Sequence, residues 1–357
     1  MGTSAEARAI KKASKKARSQ LKKLDAKTRK ELVALYIDSA TQLEHAILSA
    51  ASSDGLLALE SLNATLDAVH RELNRLSFKR GDLLEQGLSD AVSSGSAPFI
   101  LSISALAVAT INRDAVRYVQ SFLASDGLQL SDRIWNIDNG AREAVSQAIQ
   151  RAIIQGQSAF EAAQAFVQRG ERVPLDVASK IDVARASKVA QTVKASLLRG
   201  SGNPMDNALR LFRTELNRAH GEAYQAAAFA HPDVIGTRFL LSPNHRVKDI
   251  CDMHTSVNRY GLGKGVYPDG QNPWPAHPNT LSFVEVVFAD EVSESDKKSK
   301  EGRIQWLKKQ PAHVHQSILG KNKAKAFQAG HLEKESDIQR PWKNIKARLK
   351  RKGFSTG

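Results

Sequence analysis

The side chains best able to do chemistry are His245, Asp249, Cys251, Asp252, His254 and, across a loop, His277. Imidazole, thiolate and carboxylate are the ligand types that zinc takes. A C-x-x-H pair such as Cys251 and His254 lets two of them converge on one ion from a tight turn. His277 offers a third ligand and Asp249 or His245 a fourth, so zinc is the candidate ion. The competing reading is a loop held by hydrogen bonds among the same groups. Two enzymatic readings also start here. A metal-dependent nuclease would use His245, Asp249, His254, His277 and Asn279, and would need a histidine base, a bound cation and a positioned water. A hydrolase on Cys251 and His277 would need an oriented base and oxyanion donors. Neither has a supporting motif, so no catalytic residue is assigned and a non-enzyme is expected.

Cys251 is the only cysteine, so neither an intrachain disulfide nor a multi-cysteine zinc cluster can be built from this chain. That usage suits a reducing compartment. No apolar run reaches membrane-spanning length, and the N-terminus runs into lysines and alanines without an apolar signal core. The expectation is a protein with neither membrane partner nor secretion signal. At 357 residues and 41% hydrophobic, the chain can bury a core, and two units are the better prior.

A net charge of +15 implies an anionic partner, nucleic acid first. The charge is concentrated at the ends. Residues 8–30 hold eleven Lys or Arg against one acid, Asp25. Lys11, Lys12, Lys15, Lys16, Arg18, Lys22 and Lys23 are the phosphate-binding candidates there, with Lys346, Arg348, Lys350 and Arg351 at the other end. The plainer alternative is a pair of solubilising tails.

The elements that must position these groups read as mostly α. Leu32, Tyr36, Leu43 and Ile47 fall on one helical face. Leu59, Leu62, Leu66, Val69, Leu73 and Leu76 repeat in steps of three and four, as in a helical hairpin or short coiled coil. Ser93-Ser94-Gly95-Ser96-Ala97-Pro98 reads as a break, followed by helices over 101–124 and 138–155. Gln155-Gly156 ends the latter, and Ser158 with Glu161 opens another helix through Val167. Gly200-Ser201-Gly202-Asn203-Pro204 is a linker before a helix over 206–228. Residues 234–241 and 283–288 read as strands, with a Gly- and Pro-rich loop between them. The expected organisation is a basic N-terminal arm (1–30), a helical body (31–200), a small α+β module (205–290) and a basic helical tail (291–357).

Four segments together carry a family resemblance: Leu241-Ser242-Pro243-Asn244-His245, Asp249-Ile250-Cys251-Asp252, Tyr260 through Pro268, and Pro275-Ala276-His277-Pro278-Asn279. With Arg213-Thr214-Glu215 upstream and Gly127 through Trp135 before that, the order resembles the Mu F-like head-morphogenesis family of tailed phages. The resemblance covers about residues 127–290. It implies a structural minor head protein made in the host cytoplasm and carried inside the virion head near the portal vertex. Its implied partners are the portal protein, packaged double-stranded DNA, and a scaffold or major capsid protein. Trp306 through Gln310, Ile318 through Lys321 and Ala326 through Gly330 also resemble tails of the family. One departure stands out: where the family carries His-Pro-x-Cys-x-Cys, this chain has Thr280 and Ser282. Two thiolates are therefore missing, and the turn must persist by hydrogen bonding and packing or use His and Asp in their place. Without the resemblance, a cellular nucleic-acid-binding scaffold would fit the helices and charge equally well.

Overall fold

The computed structural model describes residues 5–53, 55–57, 62–124, 126–153, 166, 169, 184–278, 280–351 and 354. Leu59, Asn279 and the expected helix from Ser158 lie outside the described residues. Among the described residues the first helices are α1 (Ala5–Ser49), α2 (Leu62–Ser96), α3 (Ala105–Ser121), α4 (Leu130–Ile153), α5 (Ala186–Leu198) and α6 (Pro204–Phe229). Short strands β1 (Leu56–Leu57) and β2 (Ala184–Arg185) sit among them in the chain. Then follow β3 (Val234–Leu240), α7 (Ile250–Ser256), β4 (Val266–Tyr267) and β5 (Phe283–Phe288). The chain closes with α8 (Glu294–Lys298), α9 (Arg303–Lys308), α10 (Ala312–Leu319), α11 (Lys321–Gln328), α12 (Glu335–Gln339) and α13 (Trp342–Arg351). The protein is mostly α with a small α+β module and a helical tail. Among the described residues no helix is long and apolar enough to cross a membrane.

Two compact units divide the chain. One comprises Asp25–Gly87 and Ser131–Phe212. It is helical, and its core joins Leu43 and Ile47 of α1, Leu66, Val69 and Leu73 of α2, Val145 and Ile149 of α4, and Val189, Val193 and Leu197 of α5. The three-and-four repeat on α2 therefore packs against the preceding helix and two later ones. β1 pairs antiparallel with β2. A buried ion pair crosses this core: Arg80, 2% exposed, sits 2.8 Å from Asp138, whose other oxygen accepts from Ser77 at 2.9 Å.

The other unit comprises Met1–Leu24, Leu88–Leu130 and Arg213–Gly357. Its sheet runs β4-β3-β5, antiparallel throughout, with Thr237 opposite Tyr267 and Arg238 opposite Glu285. Tyr224, Ala227 and Ala228 of α6 pack with Phe239, Val284, Val286 and Phe288 of the strands, and Ala7, Ile10 and Phe99 join the same cluster. Tyr224 ties three elements: its hydroxyl lies 2.9 Å from Ser14 Oγ and accepts from the Val286 N–H at 3.0 Å.

Three boundaries differ from the sequence reading. α1 runs unbroken through residue 30, because no Gly or Pro interrupts its 45 residues; the basic arm is the first half of a docked helix. α2 continues through Ser93–Ser96 and ends only before the 3-10 turn Ala97–Phe99, where Pro98 lacks the N–H that a continuing helix would use. Gly95 is there for packing, since a Cβ would lie 2.2 Å from the carbonyl oxygen of His220. The tail is not a separate appendage: Met253 and Val257 share a core with Leu307, Val314, Ile318, Phe327, Ile345 and Leu349.

Candidate functional site

The loop expected between β3 and β5 contains a short helix, α7, and its start organises the site. Asp249 is the N-cap; its Oδ1 accepts from the Cys251 N–H at 2.7 Å. Asp252 Oδ2 accepts from the Asp249 N–H at 2.9 Å, which closes a capping box around N–H groups that a helix start leaves unpaired. The same Asp252 oxygen lies 2.8 Å from His245 Nε2. The D-x-x-D spacing of Asp249 and Asp252 was the sequence signal for this helix, and the surrounding Gly and Pro obscured it.

His277 approaches from the loop before β5. Its Nε2 lies 3.2 Å from Asp249 Oδ2 and its Nδ1 lies 2.9 Å from the Pro278 carbonyl oxygen. Both partners are acceptors, so the arrangement favours the doubly protonated ring. The Asp249 hydrogen bond, followed by that of Cys251, raises the His277 pKa to about 10. Burial opposes ionisation of Asp249, yet His277 and the Cys251 N–H hold its carboxyl below the usual carboxylate range. Cys251 itself is fully buried, with its Sγ 3.8 Å from Thr280 Oγ1.

Among the described residues, two sets of three bring ligand atoms within 4.8 Å of one another: Asp249, Cys251 and His277, and His245, Asp249 and Asp252. The first is an O, S, N donor set that matches zinc chemistry with one position left over. Asp249, Cys251 and His277 are the residues that would hold such an ion, which would have to displace the proton on His277. His254 is a correction to the sequence reading, for it belongs to neither set. Its ring turns toward β3, 5.6 Å from Phe239, and it is 2% exposed with no hydrogen-bond partner at Nδ1. Burial first, then the charge of Arg303, pushes its pKa down to about 3. The C-x-x-H pair therefore does not converge, because the apolar interior captures the imidazole.

Thr280 and Ser282, which follow His277 and Pro278 in the chain, hold the turn by hydrogen bonds. Thr280 Oγ1 faces Cys251 and accepts from the Ser282 N–H at 3.2 Å. The Thr280 carbonyl accepts from Asn217 at 2.9 Å, and the Ser282 carbonyl from the Trp274 indole N–H at 2.9 Å. His254 is sequestered from any incoming phosphate, and the Cys251 sulfur has no exposed face for a carbonyl to reach.

The basic candidates divide into two groups. Lys11 is paired with Glu291, and Arg18 lies 3.6 Å from Glu285 and over the Phe283 ring at 4.0 Å. Arg348 is paired with the fully buried Asp337. These three neutralise acids of the chain itself and are not free for phosphate. Lys12, Lys15, Lys16, Lys22 and Lys23 are exposed and carry no ion pair among the described residues, as do Lys346, Lys350 and Arg351. On α1 these five lysines fall within one broad face, Lys15 and Lys22 and likewise Lys16 and Lys23 being seven apart, opposite the buried Ala7, Ile10, Ser14 and Ala17. Glu215, 2% exposed, forms its ion pair with Arg218 one turn on, at 2.8 Å.

Comparison of the chain with protein-family models, with curated proteins and with solved structures finds no match in any of the three.

Proposed function

We propose that this chain is a structural minor head protein of a tailed phage, held inside the head near the portal vertex, with α1 contacting packaged double-stranded DNA. The portal protein is its principal protein partner in this reading, with scaffold or major capsid protein as further contacts. The observation that carries the nucleic-acid part is the two-faced character of α1. Its apolar face is buried in the same unit as the sheet, while Lys12, Lys15, Lys16, Lys22 and Lys23 present an unpaired cationic stripe. A tail that served only solubility would have no reason to dock one face and sort its cations onto the other. At 1.5 Å rise per residue the stripe is about 16 Å long, against one duplex charge per about 1.7 Å of axis. The phage part rests on the ordered motif set of residues 127–290.

Duplex affinity should therefore fall steeply with salt and show little sequence preference. Replacing Lys15, Lys16, Lys22 and Lys23 by Ala should reduce the slope of log K against log salt by about 3.6. An unchanged slope would remove α1 from the DNA interface. Cryo-EM of the native particle tests the rest: density near the portal vertex is expected. Absence from both procapsid and mature head would overturn the phage reading in favour of a cellular nucleic-acid scaffold. Plasmid incubated with magnesium, manganese or zinc should stay intact; nicking lost in His277→Ala would instead support the nuclease.

A further inference from the structure

The end of α3 with Phe122, α6 and the 272–275 loop line a cleft of about 190 Å3. Its apolar lining is Tyr118, Phe122, Trp274 and two prolines, and its polar lining is Arg218, Glu222 and Asn272. Two of these polar groups are already committed. The Asn272 amide donates to Thr237 O and Oγ1 at 3.1 and 2.9 Å, and its oxygen accepts from the Trp274 N–H at 3.2 Å. Arg218 is bound to the buried Glu215, with its guanidinium stacked over Phe122 at 4.1 Å. Glu222 differs. It is half-buried, yet it carries no hydrogen bond or ion pair among the described residues. Burial, and then the nearby Asp269, push its carboxyl pKa up, against the opposing charge of Arg218.

The cleft is also preformed. Trp274 is wedged against α6 at Gly221, where a Cβ would lie 1.6 Å from the indole ring, and its N–H is held by Ser282. Gly221 is thus a packing glycine that lets the aromatic wall close on the helix.

We propose that this cleft receives one arginine side chain from a partner protein, with Glu222 as its counter-ion and the aromatic rings as its walls. A half-buried carboxylate with no hydrogen bond or contact ion pair is costly, and an incoming cation reduces that cost. Aromatic faces attract a cation, as Arg218 over Phe122 already illustrates within the chain. The competing occupants fit worse. An anion would meet Glu222 and Asp269 while the charge of Arg218 is already matched by Glu215. An apolar group would bury Glu222 further and leave it unpaired. The volume is below the range of roughly 300–1,000 Å3 usual for drug-sized ligands and suits the head of one side chain. Guanidinium is preferred to ammonium because it is flat enough to stack on a ring while bonding a carboxylate through two N–H groups.

The test uses the full chain and acetyl-arginine-amide as probe, read by the Trp274 indole 15N–1H resonance. A saturable shift is expected for arginine and none for acetyl-citrulline-amide, which has the same shape without the charge. Glu222→Gln should weaken arginine binding at least tenfold. Tyr118→Ala, on the exposed side of the cleft, should weaken it severalfold without disturbing the core. The proposal is overturned by the absence of a saturable shift with arginine, by equal binding of citrulline, or by undiminished binding in Glu222→Gln.

Discussion

His254, on α7, and His277, on the loop before β5, carry the same imidazole and differ in what surrounds it. His254 lies in the interior against Phe239, near the buried Arg303, and burial holds it neutral. His277 sits at the surface between Asp249 and a carbonyl oxygen, and those acceptors hold it charged. One pKa is pushed to about 3 and the other to about 10. The contrast teaches that residue type and spacing nominate ligands and bases, whereas burial and the nearest charge decide the state in which each is held. His254 acts as a core residue, and His277 completes the polar turn.

The largest test of that contrast is a permanent charge at each position. His254→Arg places a second guanidinium in the interior beside Arg303 and should cost about 3 kcal/mol or more in chemical denaturation. His277→Arg keeps a cation opposite Asp249 and should stay within about 0.5 kcal/mol. Equal losses would erase the distinction between the two regions.

Removing the anion that separates them should have a middling effect. Asp249→Ala takes away both the cap of α7 and the partner of His277, and should lower stability by about 1 kcal/mol. In the same variant the His277 resonances should titrate closer to the ordinary value of 6.5. If the titration stays alkaline, the cause of the shift lies elsewhere.

The smallest effect is the pH dependence. A pKa raised from 6.5 to about 10 means that the folded state binds the His277 proton more tightly than the unfolded chain does. Its stabilisation is complete below about pH 6.5 and is lost as pH rises through 10. The melting temperature of the wild-type protein should therefore fall more between pH 7 and 10 than that of His277→Gln. Parallel curves would show that the ion pair contributes nothing to the fold, as many exposed pairs do.

What the sequence determined by itself was the local, periodic part. The α2 stripe from Leu66 to Leu76 is buried, Leu32, Tyr36, Leu43 and Ile47 share an interior face, and Phe283–Phe288 is a strand because it is a short run rich in β-branched and aromatic residues. Asp249 and Cys251 were legible as a pair by their close spacing, with His277 offered across a loop as a further ligand type. Tertiary structure decided the rest. Gly95 reads as a helix breaker until the His220 carbonyl arrives from α6, and Gly221 has no visible purpose until Trp274 lies on it. His254 looked like the natural companion of Cys251, and only the packing of α7 against β3 removed it from the cluster. Lys11 and Arg18 looked like their neighbours until Glu291 and Glu285 claimed them. The physical reason is common to all of these. Periodicity and propensity are properties of a short segment, whereas burial, ion pairing and close backbone approach depend on residues far away in the chain.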